Sequence, residues 1–174
     1  MAQTLVDTGI WTWGDEGVRW ELHRATALPQ PEHCTAVFCV AVTPEDAIVL
    51  EREARGWGMI GGHIDDGETI EQALVRECLE ESGYTIKKPD LFGYRKIVAA
   101  SPVTHPVPGK AYPFPVSYIA YYMASCSKTH QGPSDPEVLE TGTFSLAEIR
   151  CMGIPDFSTI ELGWEIYQRQ TMTV

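Results

Sequence analysis

The chain has 174 residues, 44% of them hydrophobic and 21% charged, a composition that fits one globular unit around a single buried core. Its formal charge of −11 repels polyanions and no Lys/Arg cluster offsets it, which argues against an extended nucleic-acid surface and leaves small phosphorylated ligands open. The longest apolar stretches, residues 35–42 and 116–124, are far shorter than the run of about 20 that a membrane span needs, so no membrane helix is expected.

The first seventeen residues carry Asp7, Asp15 and Glu16 and lack a basic flank before an apolar core. They do not read as a secretory signal, and the expected compartment is cytoplasmic. Residues 11–23 alternate aromatic and β-branched side chains around Gly14-Asp15-Glu16-Gly17, the pattern of an N-terminal hairpin. Two strands are expected at 35–43 and 47–51, joined at Pro44-Glu45-Asp46, and a glycine-rich loop at 58–67 then leads into a helix. Thr69 caps that helix with Gln72 three residues on, and Gly83 stops it. Further strands are expected at 91–98 and 116–124, separated by a loop dense in proline. Ser145 with Glu148 and Ser158 with Glu161 are two more capping-box pairs, for a short helix and a C-terminal one, and Phe157 and Leu162 would staple the latter. The order β, β, α, β, β, α implies a mixed sheet with helices packed on it. With no repeat or linker, residues 1–174 read as one domain. Five cysteines, Cys34, Cys39, Cys78, Cys126 and Cys151, show no zinc-ligand spacing and read as buried or free thiols.

The segment Gly61-Gly62-His63-Ile64-Asp65-Asp66-Gly67-Glu68, followed after seven residues by Arg76-Glu77-Cys78-Leu79-Glu80-Glu81-Ser82-Gly83-Tyr84, carries the chemistry. At about 100° per helical residue, Glu77, Glu80 and Glu81 fall within a sector of roughly 100°, so three carboxylates are expected to converge. Clustered carboxylates repel unless compensated, and hard oxygen donors suit Mg2+ or Mn2+. Leu74, Val75, Cys78 and Leu79 form the apolar face that anchors the helix, which makes Cys78 a core residue. The alternative reading of the three glutamates is a solvated helix face.

Residues 62–84 resemble the box of the Nudix (MutT-like) hydrolase family, Gly-x5-Glu-x7-Arg-Glu-U-x-Glu-Glu-x-Gly-U with U apolar, and match every fixed position: Gly62, Glu68, Arg76, Glu77, Glu80, Glu81 and Gly83. At residue frequencies of about 7%, such a match arises by chance roughly once in 10⁸ starting positions. Cys78 and Tyr84 stand at the apolar positions, and Ile60 replaces the proline often found before the glycines.

The resemblance implies an α/β fold (α+β), the Nudix-type α/β/α sandwich with a mixed sheet. It implies an Mg2+-dependent pyrophosphohydrolase, with Mn2+ as substitute, that cuts the pyrophosphate linkage of a nucleoside diphosphate derivative. A nucleoside triphosphate-type substrate is slightly favoured over ADP-ribose, NADH or a dinucleotide. Glu77, Glu80 and Glu81 would bind the metal with a backbone carbonyl near Gly61, while Gly62 shapes the loop and Glu68 and Arg76 hold it against the helix. The general base is a box glutamate (Glu80 or Glu81) or a carboxylate of the later segment 135–140, with Glu137 ranked above Glu140. Trp57, Tyr94, Tyr112, Phe114 and Tyr118 offer stacking surfaces for a base, with ordinary packing as the alternative, and His63 and His105 offer phosphate contacts. The base or second half of the substrate is expected on residues 102–118. Pro113-Phe114-Pro115-Val116-Ser117 resembles part of a motif of NADH-cleaving Nudix enzymes, without the cysteine-rich module that precedes it there. A non-catalytic nucleotide sensor is the reading from another class, and a lipid-diphosphate isomerase a third. The expected partner is a small nucleotide, neither extended nucleic acid nor membrane, and a homodimer fits the resemblance.

Overall fold

The computed structural model describes residues 3–13, 16–103, 111–129 and 132–172. In chain order the elements are β1 (Thr4–Trp13), β2 (Glu16–Arg24), β3 (Cys34–Val42), β4 (Ile48–Glu53), β5 (Gly56–His63), α1 (Ile70–Ser82), β6 (Tyr84–Val98), β7 (Val116–Lys128), β8 (Glu140–Phe144), α2 (Leu146–Met152) and α3 (Phe157–Thr171). The strands form one mixed sheet in the order β1-β2-β6-β7-β3-β5-β4-β8. Among the described residues only β3 and β7 run parallel; the other pairs are antiparallel.

Strand alternation sends apolar side chains to both faces. From β3, Val37, Cys39 and Ala41 pack with Ala73, Leu74 and Cys78 of α1. Val40 and Val42 go the other way, to Ile149 of α2 and Ile160 of α3. One helix therefore covers one face and two cover the other, the expected α/β/α sandwich. Each fully buried aliphatic side chain in these layers contributes about 1.5–3 kcal/mol. No helix among the described residues is long and apolar enough to cross a membrane. The five cysteines are unpaired thiols: Cys39, Cys78 and Cys126 are buried, Cys34 is half-buried and Cys151 exposed.

The caps of α1 are those the sequence predicts. The Gln72 N–H donates to Thr69 Oγ1 at 3.2 Å, the Gln72 side chain accepts from the Thr69 N–H at 2.8 Å, and Gly83 closes the helix at φ 71°. Ser145 and Glu148 form their box on α2 in the same way.

Other expectations need correction. The glycine-rich region is strand through His63, because β5 has ladder partners on both sides: β3 for its second half and β4 for its first. On α1, Val75 is 46% exposed and Ala73 takes its place in the core. Helix α3 begins after Asp156, whose side chain makes no cap bond because its Oδ1 accepts from the buried Arg95 at 2.8 Å. Ser158 lies inside the first turn and donates to Asp7 Oδ2 at 3.1 Å. The hairpin is longer than expected, β6 starts at Tyr84, and β8 pairs with β4 at the sheet edge. The predicted turn residues Gly14 and Asp15 lie outside the described residues, as does His105.

Candidate active site

The acidic edge of α1 lies against β5, and two glycines make that approach feasible. The Gly61 N–H donates to Glu81 Oε2 at 2.6 Å. Gly61 has φ +142°, and a Cβ there would stand 2.6 Å from Phe38 Cα, so only glycine fits. A Cβ on Gly62 would stand 2.6 Å from Glu77 Oε1. The missing Cβ of Gly62 therefore lets Glu77 close down on the strand while Glu81 reaches the Gly61 N–H, and both are buried, at 7% and 6% exposure.

Arg76 clamps the preceding loop to the helix. Its guanidinium donates to Glu68 at 2.8 Å through both Nε and Nη2, to Glu77 Oε1 at 2.8 Å, to Glu80 Oε2 at 3.3 Å and to the His63 carbonyl at 3.1 Å. Glu68 also accepts from the Asp65 N–H at 3.0 Å. The Arg76 guanidinium holds the Glu68 carboxyl down at about 2, and these carboxylates raise Arg76 in turn. Glu68 and Arg76 thus lie between loop and helix.

Burial acts in the opposite direction deeper in the site. It pushes Glu81 up to about 8, assisted by the charges of Glu77, Glu51 and Glu53 and opposed by the Gly61 N–H. Burial also raises Glu77, opposed by Arg76. Glu51, on β4, is 1% exposed and is pushed up to about 7 by burial and by Glu53. Sequence reading passed over Glu51. Its signal was present: it shares the strand face of Val49, a core position, where a carboxylate breaks the alternation.

Of the three predicted carboxylates, Glu77 and Glu81 are drawn together, while the Glu80 side chain is 45% exposed and held by Arg76. Among the described residues no three His, Cys, Asp or Glu side chains already stand at the spacing a metal ion needs. The loop after β7 docks on the end of α1, where the Ser134 and Asp135 N–H groups donate to the Glu80 carbonyl at 2.7 and 3.1 Å. That puts Asp135 close enough to raise Glu77 and Glu51. The exposed Glu137 donates its N–H to Asp135 Oδ1 at 2.7 Å, and Glu140 pairs with Arg52 at 2.8 Å. Asp135, not singled out by sequence, is the residue of this segment coupled to the box.

The aromatic candidates separate. Trp57 meets Phe144 edge-on at 4.9 Å, lies under Arg52 at 5.9 Å and lines a cavity of about 280 Å³ with Glu51, Phe38, Met59, Pro155 and Asp156. Tyr112 contacts His63 at 3.1 Å, and Phe114 is 49% exposed. Tyr118 and Tyr94 are buried and meet edge-on at 5.6 Å, so both rings serve packing. A larger cavity of about 470 Å³, between Arg24, Phe92 and Ile166, contains no box residue.

This sandwich, with a carboxylate helix closed on a glycine strand, defines a Nudix-type protein. Residues 32–162 match the model of the NUDIX domain, and the chain belongs to that family. It is 28% identical over 136 residues to the NAD-capped RNA hydrolase NudC of Salmonella heidelberg (strain SL476), covering 76% of this chain and 46% of the relative. The chain therefore spans about half the length of the curated relatives it matches. Among solved structures it is similar to a NUDIX hydrolase from Nitrosomonas europaea (TM-score 0.55, 23% identity, 75% of this chain and 87% of that one). It is likewise similar to the NUDIX domain of Shewanella oneidensis NrtR complexed with ADP ribose (TM-score 0.55, 18% identity, 78% and 86%). At these identities the likeness is one of fold.

Members of this family generally use a divalent metal. The residues present fit one: every side-chain donor is a carboxylate oxygen, and two are raised by burial, an excess of negative charge that a hard cation neutralises.

Proposed function

We propose that the chain hydrolyses the pyrophosphate linkage of a nucleoside diphosphate derivative, using Mg2+, with Mn2+ as a substitute. The observation that carries this reading is the closure of Glu81 and Glu77 onto Gly61 and Gly62, with the 2.6 Å bond from the Gly61 N–H. Glu77, Glu80 and Glu81 would hold the ion, with the Gly61 carbonyl. Bound there, the ion supplies charge stabilisation on the phosphate oxygens and lowers the pKa of water. Arg76 and Glu68 keep loop and helix in register. A carboxylate takes the proton of the attacking water: Glu80 or Glu81 within the box, or Glu137 outside it, with Asp135 added by its position. The water oxygen bonds to one phosphorus, the bridging P–O bond breaks, and two phosphorylated products leave.

A nucleoside triphosphate-type substrate is the first reading. A dinucleotide such as NADH is the second, favoured by residues 113–117 and by relatives named as NAD-capped RNA hydrolases. Trp57, Tyr112 and Phe114 are the rings open to a base; Tyr118 is less so because it is buried. The partner is a small nucleotide in a cytoplasmic setting, and a homodimer is checked by light scattering.

The test is a panel of nucleoside triphosphates, nucleotide sugars, ADP-ribose, NADH and dinucleoside polyphosphates with Mg2+ or Mn2+, followed by product chromatography. Cleavage of at least one linkage is expected. Binding without cleavage across the whole panel would move the reading to a nucleotide sensor.

A further inference from the structure

Glu51 is 1% exposed, and its buried Oε2 has no hydrogen-bond partner among the described residues. A buried carboxylate without donors is destabilising, and native structures keep such groups where a ligand or ion completes them. The side chain points to the α1 face of the sheet, two residues on from Val49, which packs with Leu74 and Cys78. The ladders on either side fix its place. On β5, Gly58 stands opposite, and a Cβ there would lie 3.0 Å from Glu51 Oε1. On β8, Thr141 stands opposite, and its Oγ1 donates to the Glu81 carbonyl at 3.1 Å. Cross-strand partners have Cβ atoms about 4.5–5.5 Å apart, so Glu51 lies under the last turn of α1, beside Glu81. The loop after β7 closes the same corner: the Asp135 N–H donates to the Glu80 carbonyl at 3.1 Å, and the Asp135 charge reaches both Glu51 and Glu77. The basic groups around this corner are engaged elsewhere, Arg76 with Glu68, Glu77 and Glu80, and Arg55 with Glu53 at 2.8 Å.

We infer that Glu51 is a further ligand of the divalent-metal centre, its Oε2 binding, together with Glu81, a cation between β4 and the last turn of α1. The inference rests on the metal-dependent reading above and extends it, because Glu51 lies outside the box, on a strand that precedes it. A neutral donor would satisfy Glu51 alone. A divalent cation satisfies Glu51 and Glu81 together and offsets the repulsion between them, and oxygen donors suit Mg2+ and Mn2+. Gly58 belongs to the same arrangement, since its missing side chain leaves the Glu51 carboxylate its room.

Mn2+ binding to the full chain without substrate, read by electron paramagnetic resonance and calorimetry, tests this independently of turnover. Glu51→Gln keeps the side-chain volume and removes the charge, whereas Glu51→Asp keeps the charge and withdraws the carboxylate by one methylene. Both should weaken Mn2+ binding about ten-fold or more, with circular dichroism unchanged. A Glu51→Asp protein within about two-fold of the wild type would mean that Glu51 acts through its charge and not as a ligand, and a Glu51→Gln protein equally close would mean that it takes no part. Either result overturns the inference. If neither variant folds, wild-type crystals soaked in Mn2+ decide: an anomalous peak within about 2.5 Å of Glu51 Oε2 is expected, and a Glu51 beyond coordination distance of every peak overturns it. Glu77→Gln separates this inference from the reading beneath it. Binding weakened in Glu77→Gln and kept in Glu51→Gln would overturn the Glu51 assignment and leave the metal-dependent reading standing, whereas a wild-type protein that binds no Mn2+ would overturn both.

Discussion

Glu81→Gln should stabilise the metal-free protein at neutral and alkaline pH while abolishing most of its turnover. In the folded chain the Glu81 carboxyl is raised from 4.5 to about 8, so between these values the native state holds a proton that the unfolded chain has released. Stability then falls as pH rises through this window, and the contribution is fully favourable only below the unfolded value. At 1.36 kcal/mol per unit, the penalty accumulated by pH 7 has an upper bound of about 3 kcal/mol. Glutamine keeps an oxygen to accept the Gly61 N–H and removes the charge, so relief of about 1–3 kcal/mol is expected at pH 7 and none at pH 4. The opposing contribution of Glu68, lowered to about 2, does not interfere because it is lost only in acid, below this window. Urea unfolding of both proteins in EDTA at pH 4, 7 and 8.5 measures the difference. A variant less stable than the wild type at pH 8.5 would refute the reasoning, since it would mean that the charged carboxylate is a net stabiliser without metal.

Millimolar Mg2+ or Mn2+ should raise the wild-type melting temperature, and should raise that of Glu77→Gln less, because the ion binds the native state and relieves the crowded charge. An equal shift in both would remove Glu77 from the metal set. Glu80→Gln should lower kcat by roughly two orders of magnitude or more with little change in melting temperature, since its side chain is 45% exposed. Gly62→Ala should force the Glu77 carboxylate aside and weaken Mn2+ binding at least ten-fold in a calorimetric titration, as its Cβ would stand 2.6 Å from Oε1. Asp156→Ala should destabilise the fold by about 3 kcal/mol in chemical unfolding, because it strips the ion-pair partner from an Arg95 that is 2% exposed.

Local signals were the ones legible in the sequence. Caps act over three or four residues, so Thr69, Gln72, Gly83 and Ser145 announced α1 and α2 without tertiary information. The box spacing likewise placed Glu77 and Glu81 on one side of a helix. Contacts between distant segments were not legible. Gly61 and Gly62 resemble loop glycines in composition, and only the ladder with β3 reveals that Gly61 lets β5 pass close to β3 while Gly62 is bare so that Glu77 can approach. Ser158 and Glu161 have capping-box spacing, yet Asp156 sets the helix start, held by an arginine 61 residues earlier. Tyr118 was one aromatic among several until the fold buried it against Tyr94.

Strand β5 connects these results. Its second half, at Gly61 and Gly62, is open to Glu81 and Glu77 of α1, while Gly58 in its first half is open to Glu51 of β4. One strand thus seats three buried carboxylates: Glu77 and Glu51 where the Cβ of Gly62 and Gly58 is left out, and Glu81 on the Gly61 N–H. The pyrophosphate end of a substrate is the same for every member of its class, so the Gly61–Gly62 half can be fixed by the box. The half at Gly58 puts Glu51 on the same face of the sheet, where its charge adds to that of Glu77 in raising Glu81. The charge pattern agrees: Glu77 is compensated by Arg76, whereas Glu51 has no bonded partner within the described chain. With Arg76 balancing only part of this charge, the α1 face of β5 carries the excess that a hard cation would relieve.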